Sequence, residues 1–163
     1  MDIVLEAVDS RSELLERLRV ARHVLLGDED ECLREYVILH APACEIGICS
    51  QGHGPVPSGF VDESEGGAWI GYNSKVAHVD LRSCRIDCII ELDSIFFAFL
   101  RQVHDESVIA VHELGATRMD SMGRVIWTCT TDVVTHFSDD ETCLQLKTDM
   151  GEVRVDKETG ATR

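Results

Sequence analysis

Three stretches of this chain are copies of one pattern, and only a fold assembled from recurring strand units accommodates them. Trp69-Ile70-Gly71-Tyr72-Asn73-Ser74-Lys75-Val76-Ala77-His78-Val79-Asp80 is matched by Ile109-Ala110-Val111-His112-Glu113-Leu114-Gly115-Ala116-Thr117-Arg118-Met119-Asp120. A third copy runs from Leu144 to Asp156, so the closing aspartates recur 40 and 36 residues apart. A turn follows each one: Leu81-Arg82-Ser83-Cys84, Ser121-Met122-Gly123 and Lys157-Glu158-Thr159-Gly160. Asp accepts hydrogen bonds from turn amides, and Gly takes a left-handed backbone without strain. From residue 68 onward, short runs rich in Val, Ile, Thr and aromatics alternate with turn signals, from Ala68–Tyr72 to Glu152–Val155. That spacing predicts an antiparallel meander of short strands.

Residues 68–160 resemble the quinoprotein-type (PQQ-like) β-propeller repeat. Its pattern is an apolar strand, a Gly turn, a second apolar strand, an Asp-x-x-x-Gly turn and a strand with Trp. The second copy, ending Asp120-Ser121-Met122-Gly123-Arg124-Val125-Ile126-Trp127, fits best. In the first copy Cys84 stands at the Gly position and Cys88 at the Trp position, and the third reaches only Gly160. Propellers close with four to eight blades. At about 40 residues per blade this chain holds four at most, and residues 1–67 lack the pattern. The expected fold is mainly β: an antiparallel meander of propeller-blade-like hairpins, open or sandwich-like, with one N-terminal amphipathic helix. The family's quinone and metal do not carry over, because no residues here match that site.

The helix is expected over residues 11–26, where Leu14, Leu18, Ala21 and Leu25 share one face. Ser10 and Glu13 form a capping-box signature, and Gly27 follows as a stop. Leu33–Leu39 and Ala43–Cys49 read as strands, and residues 50–67, with five glycines plus Pro55 and Pro57, read as a long connection. The 163 residues are expected to form one domain: a helix with the first strands and loop over 1–67, and the repeated hairpins over 68–160. The helix, or dimerisation, would cover exposed sheet edges.

Thirty acidic residues against 15 basic give a net charge of −15. Such a chain repels phosphate backbones and anionic membranes and favours basic partners. The start, Met1-Asp2-Ile3-Val4-Leu5-Glu6, carries acid where a signal peptide needs base, and the longest apolar run is Ile95–Leu100. A cytoplasmic setting is expected.

The seven cysteines are expected to be mostly reduced, buried thiols. Soft ligands crowd only in His40-x3-Cys44-x4-Cys49-x3-His53. Zinc takes four N or S ligands in a tetrahedron, so these four residues are the candidate metal set, though Cys44 and Cys49 point to opposite faces of a regular strand. Cys49 with His53 is the candidate nucleophile and base. Cys84 and Cys88 share a strand face, too far apart for a disulfide. His78 with Asp80, and His112 with Glu113, are the remaining histidine–carboxylate pairings. No Gly-x-Ser-x-Gly elbow, phosphate loop or His-Glu-x-x-His is present. The leading functional expectation is a non-catalytic, acidic protein-interaction module, with an inhibitor or immunity-type protein against a basic partner as a subtype. The alternative is a small metal-binding or thiol-dependent enzyme using residues 40–53.

Overall fold

The computed structural model describes residues 3–29, 32–52, 54–62, 66–102 and 107–163. The chain divides into two compact units, Met1–Glu91 and Leu92–Arg163. The change of composition at residue 68 falls inside the first unit.

In the first unit, β1 (Val4–Val8), β3 (Glu35–Ala41), β4 (Cys44–Ser50) and β2 (His23–Leu26) lie side by side in that order. β2 runs parallel to β4, and the other pairs are antiparallel. A second sheet pairs β5 (Ser58–Asp62), β6 (Gly67–Tyr72), β7 (Lys75–Asp80) and β8 (Arg85–Glu91) as consecutive antiparallel hairpins. Alternation along β4 sends its two faces to different cores. Cys44, Ile46 and Ile48 pack with Ile70, Ala77 and Val79 of the second sheet. Cys49, on the other face, packs with Ile38 and with Leu14 and Leu18 of the single helix, α1 (Arg11–Leu18). Each buried leucine contributes on the order of 1.5–3 kcal/mol.

The helix is shorter than its periodicity predicts. Ser10 accepts the Glu13 amide at 3.2 Å as N-cap, while the Glu13 carboxylate accepts from the Asp9 amide, one residue before the box position. The helix ends at Leu18, and residues 23–26 form β2 instead. Val24 and Leu26 bury on one side of that strand, a period-two fit that parallel pairing with Glu45–Ile48 rewards over the helical one. Gly47 makes room for this: a Cβ there would stand 2.5 Å from a Leu18 methyl and 3.1 Å from a Leu25 methyl.

In the second unit, β9 (Phe96–Arg101), β10 (Val108–His112), β11 (Gly115–Met119) and β12 (Val125–Thr130) form one antiparallel sheet. β13 (Val134–Asp139), β14 (Cys143–Thr148) and β15 (Gly151–Asp156) form another. Ile109, Val111, Ala116 and Trp127 of the first pack with Leu144, Leu146 and Val155 of the second. The fold is mainly β, built of hairpin sheets with one short helix, and none of the sheets closes into a barrel among the described residues. The strands expected from residue 68 onward all form, within one or two residues of their expected limits. β5 arises from the Gly/Pro-rich stretch and supplies the first strand of the sheet that holds the first repeat copy.

Candidate functional site

The repeated aspartates act as turn anchors. Asp80 accepts from the Arg82 amide at 2.8 Å and the Ser83 amide at 3.2 Å. Asp120 accepts from the Met122 and Arg124 amides, and Asp156 from the Glu158 and Thr159 amides. These bonds favour the ionised form. The Ser83 hydroxyl and amide hold Asp80 below the usual carboxylate range, and the Thr159 amide and hydroxyl do the same for Asp156. For Asp120 burial pulls upward, and the Arg124 amide and guanidinium outweigh it.

The residue that closes each turn is left-handed: Gly123 at φ +76°, Gly160 at φ +72° and Cys84 at φ +55°. Cys84 thus holds a conformation its two counterparts leave to glycine. It is also half of a disulfide to Cys44, with the Cα atoms 5.6 Å apart. This corrects the expectation of reduced thiols for these two cysteines. The tie is invisible to local spacing because the partners are 40 residues apart, on different sheets. The signal available was a cysteine at a glycine position.

The turn in the second unit is held differently. The Trp127 ring lies against Gly160, where an added Cβ would stand 2.8 Å from it, and its indole N–H donates to the Lys157 carbonyl at 3.1 Å. The buried Arg118 guanidinium donates to the Lys157 and Glu158 carbonyls at 2.8 and 3.0 Å. In the first unit the Arg22 guanidinium donates to the Arg82 carbonyl at 2.8 Å. In both units, then, an arginine from outside the turn grips turn carbonyl oxygen, one in the first unit and two in the second, and a second group seats on the turn's left-handed residue.

Beside the Asp156–Gly160 turn is a recess of about 380 Å³, lined among others by Gln102, Arg118, Glu141, Asp156, Lys157 and Glu158. Its two cations are engaged internally. Arg118 serves carbonyls, and the buried Lys157 ammonium donates to Asp139 at 2.7 Å and to the Asp140 carbonyl. Glu141 and Glu158 stand exposed at the rim. The Nε2 of Gln102 is buried with no hydrogen-bond partner among the described residues.

The metal candidates do not converge. His40 on β3 lies between two carboxylates, with Nε2 3.0 Å from Glu6 and Nδ1 2.7 Å from Glu45; the second contact lacks hydrogen-bond alignment. Cys44 is spent in the disulfide, which leaves no thiolate to ligate. Cys49 faces the helix side of β4, and His53 lies outside the described residues. Among the described residues no group of three or more His, Cys, Asp and Glu side chains is placed to hold a metal. Burial, and then the Asp28 carboxylate, push the Cys49 thiol up to about 12, opposite to what a nucleophile needs.

The histidine pairings also differ from expectation. His78 bonds Asp87 through Nδ1 at 3.0 Å rather than Asp80, and its ring lies 4.8 Å from that of Trp69. Its Nε2 is buried against Gly67, where any Cβ would collide, so no substrate reaches it. His112 is fully buried, bonded through Nδ1 to the Ser94 hydroxyl at 2.9 Å and facing Thr117 through Nε2. Among the described residues the apolar exposure lies partly on edge strands, with Ile86 and Ile89 on β8 and Val125 and Ile126 on β12.

No family model and no curated protein matches the chain. Among solved structures it is similar to apo AztD from Citrobacter koseri, with 12% identity and a TM-score of 0.52, over 87% of this chain and 46% of that one. The fold is propeller-like. The chain also matches BamB from Moraxella catarrhalis at 21% identity and a TM-score of 0.42, over 63% of this chain and 34% of that one. It therefore spans less than half the length of either protein. No helix among the described residues is long and apolar enough to cross a membrane.

Proposed function

We propose that this chain is a non-catalytic protein-binding module that receives a basic partner. The observation that carries the reading is the recess beside the Asp156–Gly160 turn. Arg118 and Lys157 neutralise internal acceptors there, so the rim carboxylates of Glu141 and Glu158 remain for an incoming lysine or arginine. The surplus of acid over base, net −15, adds long-range steering toward such a partner. An inhibitor of a basic protein is the narrower form of the same reading. Against the alternative, a small metal-binding or thiol-dependent enzyme using residues 40–53, stand the cross-link at Cys44 and the raised pKa of the Cys49 thiol.

The test is retention of oligolysine and of a basic protein on the immobilised chain, at low and at raised salt. Binding should weaken as salt rises, because rim charges are screened. The double variant Glu141→Gln, Glu158→Gln should weaken it further at low salt. Absence of retention at low salt, or retention indifferent to both substitutions, rejects the reading.

A further inference from the structure

The Cys44–Cys84 bond occupies the place that Trp127 fills in the second unit, and the two joints differ in what can open them. In the second unit the Asp156–Gly160 turn is seated by an aromatic ring on a glycine, a contact indifferent to redox state. In the first unit the Asp80–Cys84 turn is seated by a disulfide on a residue at φ +55°. We propose that this disulfide is a redox-operated joint, which fastens the β5–β8 sheet to the β1–β4 sheet when oxidised and releases the turn when reduced.

Three features support an opening step. Left-handed backbone disfavours a non-glycine residue, so Cys84 has reason to leave that conformation once its sulfur is free. Cys84 is partly exposed whereas Cys44 is buried, which makes Cys84 the more accessible end of the bond. Leu81, at the start of the turn, is buried in the core shared by the two sheets, so loosening the turn loosens that core. The Arg22 bond to the Arg82 carbonyl remains as a hinge.

The chemistry needs a dithiol reductant. Its thiolate attacks the Cys84 sulfur, and the Cys44 sulfur leaves with the electron pair and takes a proton. The second thiol of the reductant then attacks the mixed disulfide, releasing Cys84 as a thiol. Two electrons and two protons pass to the protein, and the dithiol becomes a disulfide. This joint is independent of whether a basic partner binds.

The experiment is amide hydrogen exchange on the full chain, first oxidised with glutathione disulfide and then reduced with dithiothreitol. Peptide mapping without reductant should show Cys44 and Cys84 linked in the oxidised form. On reduction, protection at residues 81–84 and at the start of β4 should fall by about tenfold or more, while residues 157–160 stay as they were. Cys84→Gly supplies the glycine found at the other two turns, and its exchange should ignore the reductant. Equal protection of the wild type in both redox states overturns the proposal. So does recovery of Cys44 and Cys84 as alkylatable thiols after oxidation, or a redox response that survives Cys84→Gly.

Discussion

His112 is held neutral by its surroundings, and that has a pH signature. It is fully buried on β10 between the Ser94 and Thr117 hydroxyls, and burial lowers its pKa from 6.5, outweighing the opposing charge of Asp93. Below about pH 6.5 the unfolded chain therefore binds a proton that the folded chain refuses. The unfolded state gains relative to the folded one, so stability falls as pH drops through that window. Urea melts between pH 7.5 and 5 should show the loss, and His112→Gln should flatten it. Trp127 and Gly160 make a second prediction at this scale. Trp127→Ala removes the ring seated on the turn and the bond to the Lys157 carbonyl, a loss of about 3–5 kcal/mol. Gly160→Ala adds a Cβ against that ring at φ +72° and should cost about 1–3 kcal/mol. Equal midpoints for Gly160→Ala and wild type would show that the contact is not tight.

Among the elements, α1 depends on a glycine from another element. Gly47 of β4 faces the methyls of Leu18 and Leu25. Gly47→Ala should push the helix from the sheet at a cost of about 1–3 kcal/mol, read as a lower denaturation midpoint with an unchanged slope. Helix and β2 also mark where sequence reasoning stopped short. Leu14, Leu18 and Leu25 do share a helical face, but Val24 and Leu26 share a strand face equally well, and only pairing to β4 decides between them. β5 was hidden for a similar reason. Its Ser-Gly-Phe-Val-Asp is too short and polar to read as a strand until β6 lies beside it. The turns were legible because their chemistry is local: an aspartate and the amides two to four residues on. Asp80 and Asp156 have folded pKa values below 3.8, so the stability they contribute is present above that value and lost as pH falls through the folded ones. Asp80→Asn with Asp156→Asn should soften the acid limb of the unfolding curve.

For the whole molecule, the repeat and the propeller-like hairpin fold could be read from residues 68–160, because each copy carries its own strand periods and turn. What could not be read is what joins one sheet to the next. Sulfurs 40 residues apart and an arginine reaching a distant carbonyl leave no local pattern. For the candidate set His40, Cys44, Cys49 and His53, the opposite facing of the two cysteines was legible from strand alternation, whereas the capture of Cys44 by Cys84 was not, and His53 lies outside the described residues. The cross-link has a further consequence. By tying Cys44 to Cys84 it makes the intervening polypeptide a covalent ring, which in the chain-entropy picture removes about 4 kcal/mol of disorder from the unfolded state. A protease that cuts once anywhere inside the ring opens it without dividing the molecule. The clipped protein should run as a single species on a denaturing gel and split into two only when reductant is added.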